Sequence, residues 1–225
     1  MKHKRKTQGT NASRKERISP LTVARLSLYL RHLEELAAQG QTTVSSRQLG
    51  DALGLTDVQV RKDLASFGQF GRPGVGYEVS DLVSRLREIF GTERVWDVAV
   101  VGVGSIGRAL LAFKGLVKKG FQVAAAFDND PKKIGKKVSG VLVQPMTELA
   151  PTIRRKGIRL AVLAVPASAA QEAAEDLCRA GIRGILSFSP VRLNLPDHVA
   201  VLPVDLAAKL QQLNYFIGPP KRRRG

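Results

Sequence analysis

Residues Val98 to Gly107 read V-A-V-V-G-V-G-S-I-G, a short apolar strand running straight into G-x-G-x-x-G. Each glycine has a separate task in such a loop. Gly102 permits the tight turn, Gly104 lets the backbone approach a pyrophosphate, and Gly107 lets the following helix pack close to the strand. Val103 lies between the first two, and the amides of Ser105, Ile106 and Gly107, at the start of the helix, would face phosphates. A second strand, Gln122 to Phe127, ends in Asp128, about 20 residues on, where an acid accepts hydrogen bonds from adenosine ribose hydroxyls. The same letters could form a glycine-rich turn without a ligand. The strand before, the helix after and the acid at this distance favour dinucleotide binding. Asp128 selects NAD(H) over NADP(H), whose extra phosphate it repels, and the nearby Lys132 and Lys133 soften that selection.

A second group of residues suits nucleic acid. Val60, Leu64 and Phe67 form the buried stripe of a short helix, which leaves Asp57, Gln59, Arg61, Lys62 and Ser66 pointing outward. In a major groove Gln pairs with adenine, and Arg or Lys pairs with guanine or phosphate. Arg47 opens the preceding helix, where phosphate contact is expected, and Arg72 sits in a glycine-rich segment, Gly68 to Tyr77. The alternative is a small protein-binding helical domain whose exposed charges are solvated.

The elements that must carry these groups are marked by caps. Ser19-Pro20 starts a first helix with Leu26, Tyr29, Leu30, Leu33 and Leu36 at helical spacing, closed by Gly40. Ser45 with Gln48, and Thr56 with Gln59, each read as a capping box. The two helices they open are joined by Gly54-Leu55, a helix-turn-helix. Gly68 to Tyr77, with Tyr77 to Val79 as a strand, reads as a hairpin wing. Asp81 to Phe90 follows as a helix with Leu82, Leu86 and Ile89 on one face. Beyond Asp128, strands are expected at Val138 to Val143, Leu160 to Val165, Gly184 to Phe188 and Val199 to Leu202. Helices are expected at Ser105 to Lys119, Met146 to Arg155 and Ala167 to Ala180. This alternation predicts a parallel sheet covered on both faces and ending near Val204. Asp205 caps a last helix whose stripe, Leu206, Leu210, Leu213 and Ile217, packs either on its own sheet or on a partner subunit.

The formal net charge is +17 over 225 residues. Residues 1–17 hold seven lysines and arginines against one acid, residues 18–96 balance, and residues 97–225 hold twenty against nine, four of them in Lys221 to Arg224. The two basic tails attract polyanions without sequence preference. The single cysteine, Cys178, excludes an intrachain disulfide and fits a reducing cytoplasm, as an inert buried thiol. No apolar run is long enough for a membrane span. His3, His32 and His198 form no catalytic constellation, and neither histidine nor cysteine has metal-ligand spacing. A sheet that binds a redox cofactor without transforming it, joined to a DNA-binding module, is most simply a redox sensor.

Several blocks together resemble the Rex family of redox-sensing transcriptional repressors: Q-V-R-K-D-L at Gln59 to Leu64, G-V-G-Y at Gly74 to Tyr77, G-V-G-S-I-G-R-A-L at Gly102 to Leu110, F-D-N-D-P-K-K-I-G at Phe127 to Gly135, V-P-A at Val165 to Ala167, G-I-L-S-F-S-P at Gly184 to Pro190 and V-D-L-A at Val204 to Ala207. The resemblance implies an α/β protein: a winged helix over residues 18–90, a Rossmann NAD(H)-binding domain over 91–204 and a swapped dimerisation helix over 205–218. Basic tails lie at 1–17 and 219–225. It implies a homodimer that binds double-stranded operator DNA with NAD⁺ and releases it with NADH. The swapped helix would lodge between the partner's two domains. Carried over, Gly102, Gly104, Gly107 and Asp128 hold the dinucleotide and Arg61 and Lys62 face DNA. Phe188 lies near the nicotinamide, and Arg31 pairs with Asp205 as a switch. Three positions depart from the family pattern: Ser187 stands for a common Asn, Phe113 for a frequent Tyr, and Arg72 is followed by Pro73 where basic residues are usual. The competing readings are a small NAD-dependent oxidoreductase with a fused DNA-binding module, and a DNA-binding protein with a vestigial nucleotide site.

Overall fold

The structure, a computed structural model, describes residues 18–71 and 75–218. Arg72 and both basic tails lie outside the described residues. The chain divides into two compact units, one up to Gly91 and one from Thr92 on.

The first unit is helical. α1 (Pro20–Ala38) starts behind Ser19, whose side chain accepts from the Thr22 amide, with proline opening the helix. β1 (Thr43–Val44) leads into α2 (Ser46–Leu53), and α3 (Asp57–Ala65), β2 (Tyr77–Glu78) and α4 (Val79–Phe90) follow. The Ser45–Gln48 box closes in both directions, with the Ser45 amide donating to Gln48 at 2.8 Å and the Gln48 amide donating to Ser45 at 3.1 Å. The Thr56–Gln59 box is only half made. The Gln59 amide donates to Thr56 at 3.1 Å, but the Gln59 side chain turns to Asp63. Leu26, Tyr29, Leu33, Leu49, Val60, Leu64, Leu82 and Leu86 fill the core.

Three expectations are corrected here. The Tyr77 to Val79 strand stops at Glu78 and pairs antiparallel with β1, so Val79 is the first residue of α4. Phe67 lies beyond the end of α3 and is half-buried. Ile89 is exposed, and Val83 completes the buried face of α4 in its place.

The second unit carries a seven-stranded sheet in the order β5-β6-β4-β3-β7-β8-β9. Its strands are β3 (Trp96–Val101), β4 (Phe121–Asp128), β5 (Lys137–Val138), β6 (Val141–Pro145), β7 (Leu160–Leu163), β8 (Gly184–Ser187) and β9 (Ala200–Pro203). All pairs are parallel except β5 with β6. From β6 to β9 this is the doubly wound Rossmann order, which reverses at β3. Its helices are α5 (Ser105–Ala112), α6 (Gly115–Lys118), α7 (Leu149–Lys156), α8 (Ala167–Ala180) and α9 (Leu206–Ile217).

The single strand expected over Val138 to Val143 is instead a hairpin, because Ser139 and Gly140 both take positive φ, at 49° and 84°, and reverse the chain. The helix expected over Ser105 to Lys119 breaks at Phe113, whose backbone is extended. A 3₁₀ turn over Met146 to Glu148 precedes α7.

The sheet is not covered equally on its two faces. α7 and α8 pack Leu149, Ile153, Ala170, Ala174 and Leu177 onto Ala99, Val101, Phe127 and Leu163. On the other face Leu110 of α5 is the only helical member of the cluster around Val98, Val100 and Val162, among the described residues. No helix joins β8 to β9, so Phe188 and Leu186 stay half-buried and Leu202 is 65% exposed. Cys178 is half-buried rather than enclosed, and burial pushes its thiol up from the ordinary value.

Candidate functional site

A cleft of about 860 Å³ opens where the strand order reverses. Its floor is the end of β3 with Gly102, Gly104, Ser105 and Ile106, and its walls include Asp128, Lys133, Val165, Pro166, Glu172 and Asp176. Gly102 has φ +92°, and a side chain there would strike the Ala164 carbonyl beside β7. A side chain at Gly107 would strike the Gly102 carbonyl, so α5 docks tightly on the loop. At Gly104 a side chain would meet nothing, because its Cβ position faces open space. The first-turn amides of α5 have no intrahelical acceptor, and Gly104 offers no capping side chain, so they are available to an anion.

Asp128 ends β4 and is 8% exposed. Its Oδ2 accepts from the Val103 amide at 2.7 Å and from Lys133 Nζ at 3.0 Å, and its Oδ1 accepts from the Asp130 amide at 2.8 Å. Burial alone would push this carboxyl up. The two amides and the lysine outweigh burial and hold it below its usual range. Val103 thus serves through its amide, while its side chain is buried in the core beside Leu111, Ala126 and Val143. Phe188 is not a wall of the cleft but packs with the cluster on the open face of the sheet. Just beyond it, the hydroxyl of Ser189 is buried without a hydrogen-bond partner. Glu172 and Asp176, one turn apart on α8, line the cleft with no signal in their own sequence. Val165 and Pro166 fall in the V-P-A block that carries the family resemblance, but sequence reasoning gives them no site role.

In the first unit, Arg47, Arg61 and Lys62 are exposed and Gln59 is half-buried. Arg61 donates to Asp57 at 2.7 Å and to Ser46 at 3.1 Å, so α2 and the first turn of α3 share it. That contact holds Asp57 below its usual range. Sequence reasoning missed the group beneath this face. Asp63, 2% exposed, accepts from Arg25 Nε at 2.6 Å, Arg25 Nη2 at 2.8 Å, the Tyr29 hydroxyl at 2.8 Å and Gln59 Nε2 at 2.8 Å. Burial works against the charge of Asp63, but these donors keep its pKa below the ordinary value. Burial and the carboxylate together raise Tyr29.

Arg31 is exposed on α1. Asp205 is the N-cap of α9, accepting from the Ala208 amide at 2.8 Å. No residue of α9 is buried, and Leu206, Leu210, Leu213 and Ile217 are 59%, 66%, 57% and 76% exposed. Packing of this stripe on its own sheet is therefore not what the structure has. Among the described residues no cluster of acids, histidines or cysteines could hold a metal ion, and no helix is long and apolar enough to cross a membrane.

Residues 17–65 match the family model "Putative DNA-binding protein N-terminus", and residues 93–191 match "CoA binding domain". The "Redox-sensing transcriptional repressor Rex" of Carboxydothermus hydrogenoformans is 44% identical over 201 residues, covering 89% of this chain and 97% of that protein. Among solved structures, RSP in complex with β-NAD⁺ and operator DNA superposes with a TM-score of 0.84 at 34% identity, covering 89% of this chain and 92% of RSP. RSP in complex with β-NADH gives a TM-score of 0.82 at 33% identity, covering 89% and 94%.

Proposed function

This chain belongs to the Rex family of redox-sensing transcriptional repressors, and from that membership we propose that it occupies operator DNA when NADH is scarce and leaves it when NADH binds. The observation that carries the proposal is the pairing, within one chain, of an open glycine-floored cleft with an exposed basic face on a short capped helix.

The cleft fits a nicotinamide dinucleotide. Backbone at Gly104 is open to a pyrophosphate, and the amides of Ser105, Ile106 and Gly107 supply donors. Oδ1 of Asp128 keeps a lone pair, and Lys133 can yield its place on Oδ2, so two ribose hydroxyls find acceptors. The unpartnered Ser189 hydroxyl marks the end of β8 as a place where a polar ligand group would satisfy a buried donor. We assign Phe188 to the nicotinamide end by family resemblance. NADH and NAD⁺ differ only in charge and shape at that ring, so the discriminating contacts belong there.

DNA contact is assigned to Arg61, Lys62 and Gln59 on α3, with Arg47 for phosphate and Arg72 and the basic tails as further phosphate contacts. The stripe of α9 and the open sheet face at β8 and β9 supply apolar surface for a second copy of the chain, in keeping with a homodimer whose α9 is exchanged. We assign the switch to Arg31 and Asp205, and the setting to the cytoplasm.

The test is an operator-shift titration at fixed salt, because salt alone moves affinity strongly. NADH releases the operator and NAD⁺ does not. Operator affinity indifferent to both overturns the reading, and turnover of NADH with a carbonyl substrate points to an oxidoreductase.

A further inference from the structure

Asp63 occupies a position that an amphipathic helix would give to an apolar residue, between Val60 and Leu64 on the buried side of α3. A carboxylate offers about four lone-pair sites and no donor. All four are filled: Arg25 supplies two donors, Tyr29 one and Gln59 one. The arrangement determines which end of the Gln59 carboxamide faces inward. Its oxygen cannot turn toward Asp63, since two acceptors would then face each other in a buried place and a carboxylate lone pair would lose its donor. One N–H of the NH₂ group is therefore held at Asp63, which keeps Oε1 turned away from the buried carboxylate.

We propose that Asp63 is a positioning residue for sequence readout: by taking one N–H of the Gln59 carboxamide at 2.8 Å it fixes the orientation of that group and commits Oε1 to the groove, so that Gln59 presents an acceptor there and favours a base that carries an amino group. In the major groove only adenine N6 and cytosine N4 provide one, whereas guanine and thymine present acceptors on their own edges. A glutamine free to flip would tolerate either kind of base. The proposal rests on α3 being the DNA-reading helix.

The experiment uses the full chain and operators in which single bases lack the major-groove amino group, purine for adenine or 2-pyrimidinone for cytosine, scanned through the site. With wild-type protein one position in each half-site loses about threefold to tenfold in affinity, the range of one hydrogen bond. In Gln59→Ala that position no longer distinguishes the modified base. In Asp63→Asn the new amide can donate to Oε1, the flip is allowed, and the penalty at that position shrinks while the base preferences owed to Arg61 remain. A purely structural role for Asp63 would lower affinity for every operator alike and leave the ratio unmoved, which overturns the proposal. A wild-type scan with no amino-dependent position absent in Gln59→Ala overturns it too, even if Asp63→Asn does not fold. Loss of operator binding in Arg61→Ala with Lys62→Ala tests the underlying assignment of α3 separately.

Discussion

Asp63 and Asp128 are both nearly inaccessible, at 2% and 8% exposure, but their donors are of different kinds. Asp63 is held by three side chains, two from α1 and one from α3, so its carboxylate ties helix to helix and has nothing left to offer. Asp128 is held by two backbone amides, from Val103 and Asp130, and by a lysine at the rim of a cleft. The amides fix it in place, and the lysine can be displaced. A buried acid whose every partner is internal works as a joint. One with an exchangeable partner is suited to a ligand, as proposed for Asp128.

The contrast breaks most visibly in Asp63→Ala. Removing the carboxylate leaves Arg25 and Tyr29 facing each other without an acceptor, and the first unit should lose about 3 kcal/mol of stability, read by urea unfolding. NADH affinity should hardly change. A loss below about 1 kcal/mol would mean that the joint is replaceable by water. Asp128→Ala should do the reverse. NADH affinity falls by about 1.5–3 kcal/mol by calorimetry, as hydroxyls lose a charged acceptor, with only a modest change in unfolding midpoint. Unchanged affinity would remove Asp128 from the ribose site.

Acid sharpens the comparison. The folded-state pKa of Asp63 lies below its ordinary value of 3.8, so its contribution to stability is complete above that value and is lost as pH falls through the depressed one. The stability gap between wild type and Asp63→Asn should therefore be constant near neutrality and narrow as pH drops below about 4. A gap that stays constant to pH 2 would show that the carboxylate is not the stabilising species. The smallest effect belongs to Lys133→Met. The lysine is about a third exposed, so its loss should cost under about 1 kcal/mol of stability. NADH binding should hold or tighten, and preference over NADPH should rise, since a cation beside Asp128 is removed. A tenfold weakening would instead make Lys133 a ligand contact of its own.

Much of this organisation was legible in the sequence because local chemistry determines it. Ser19-Pro20, Ser45 with Gln48, and Asp205 act within one helical turn, and each closes as its spacing predicts. The fingerprint glycines were legible for the same reason. What failed to show depends on partners far along the chain. Asp63 breaks the apolar pattern of α3 and makes sense only once Arg25 and Tyr29, from another helix, are in place. β1 is two residues long and exists because Tyr77 and Glu78 pair with it. The Ser139-Gly140 reversal hid because serine seldom takes positive φ. The Phe113 break hid because its apolar neighbours continue the helical pattern.

α9 is twelve residues long and buries none of them. Helices of that length are marginal in water by themselves, since nucleation is costly and too few hydrogen bonds follow to offset it. One capping bond from Asp205 cannot supply the difference. If α9 docks on a second copy, as proposed above, its helical form is coupled to association, and protein concentration becomes a thermodynamic variable of the fold itself. Dilution would then unwind the twelve residues of α9 before the sheet it follows, and the concentration of repressor would set the helical fraction of that segment.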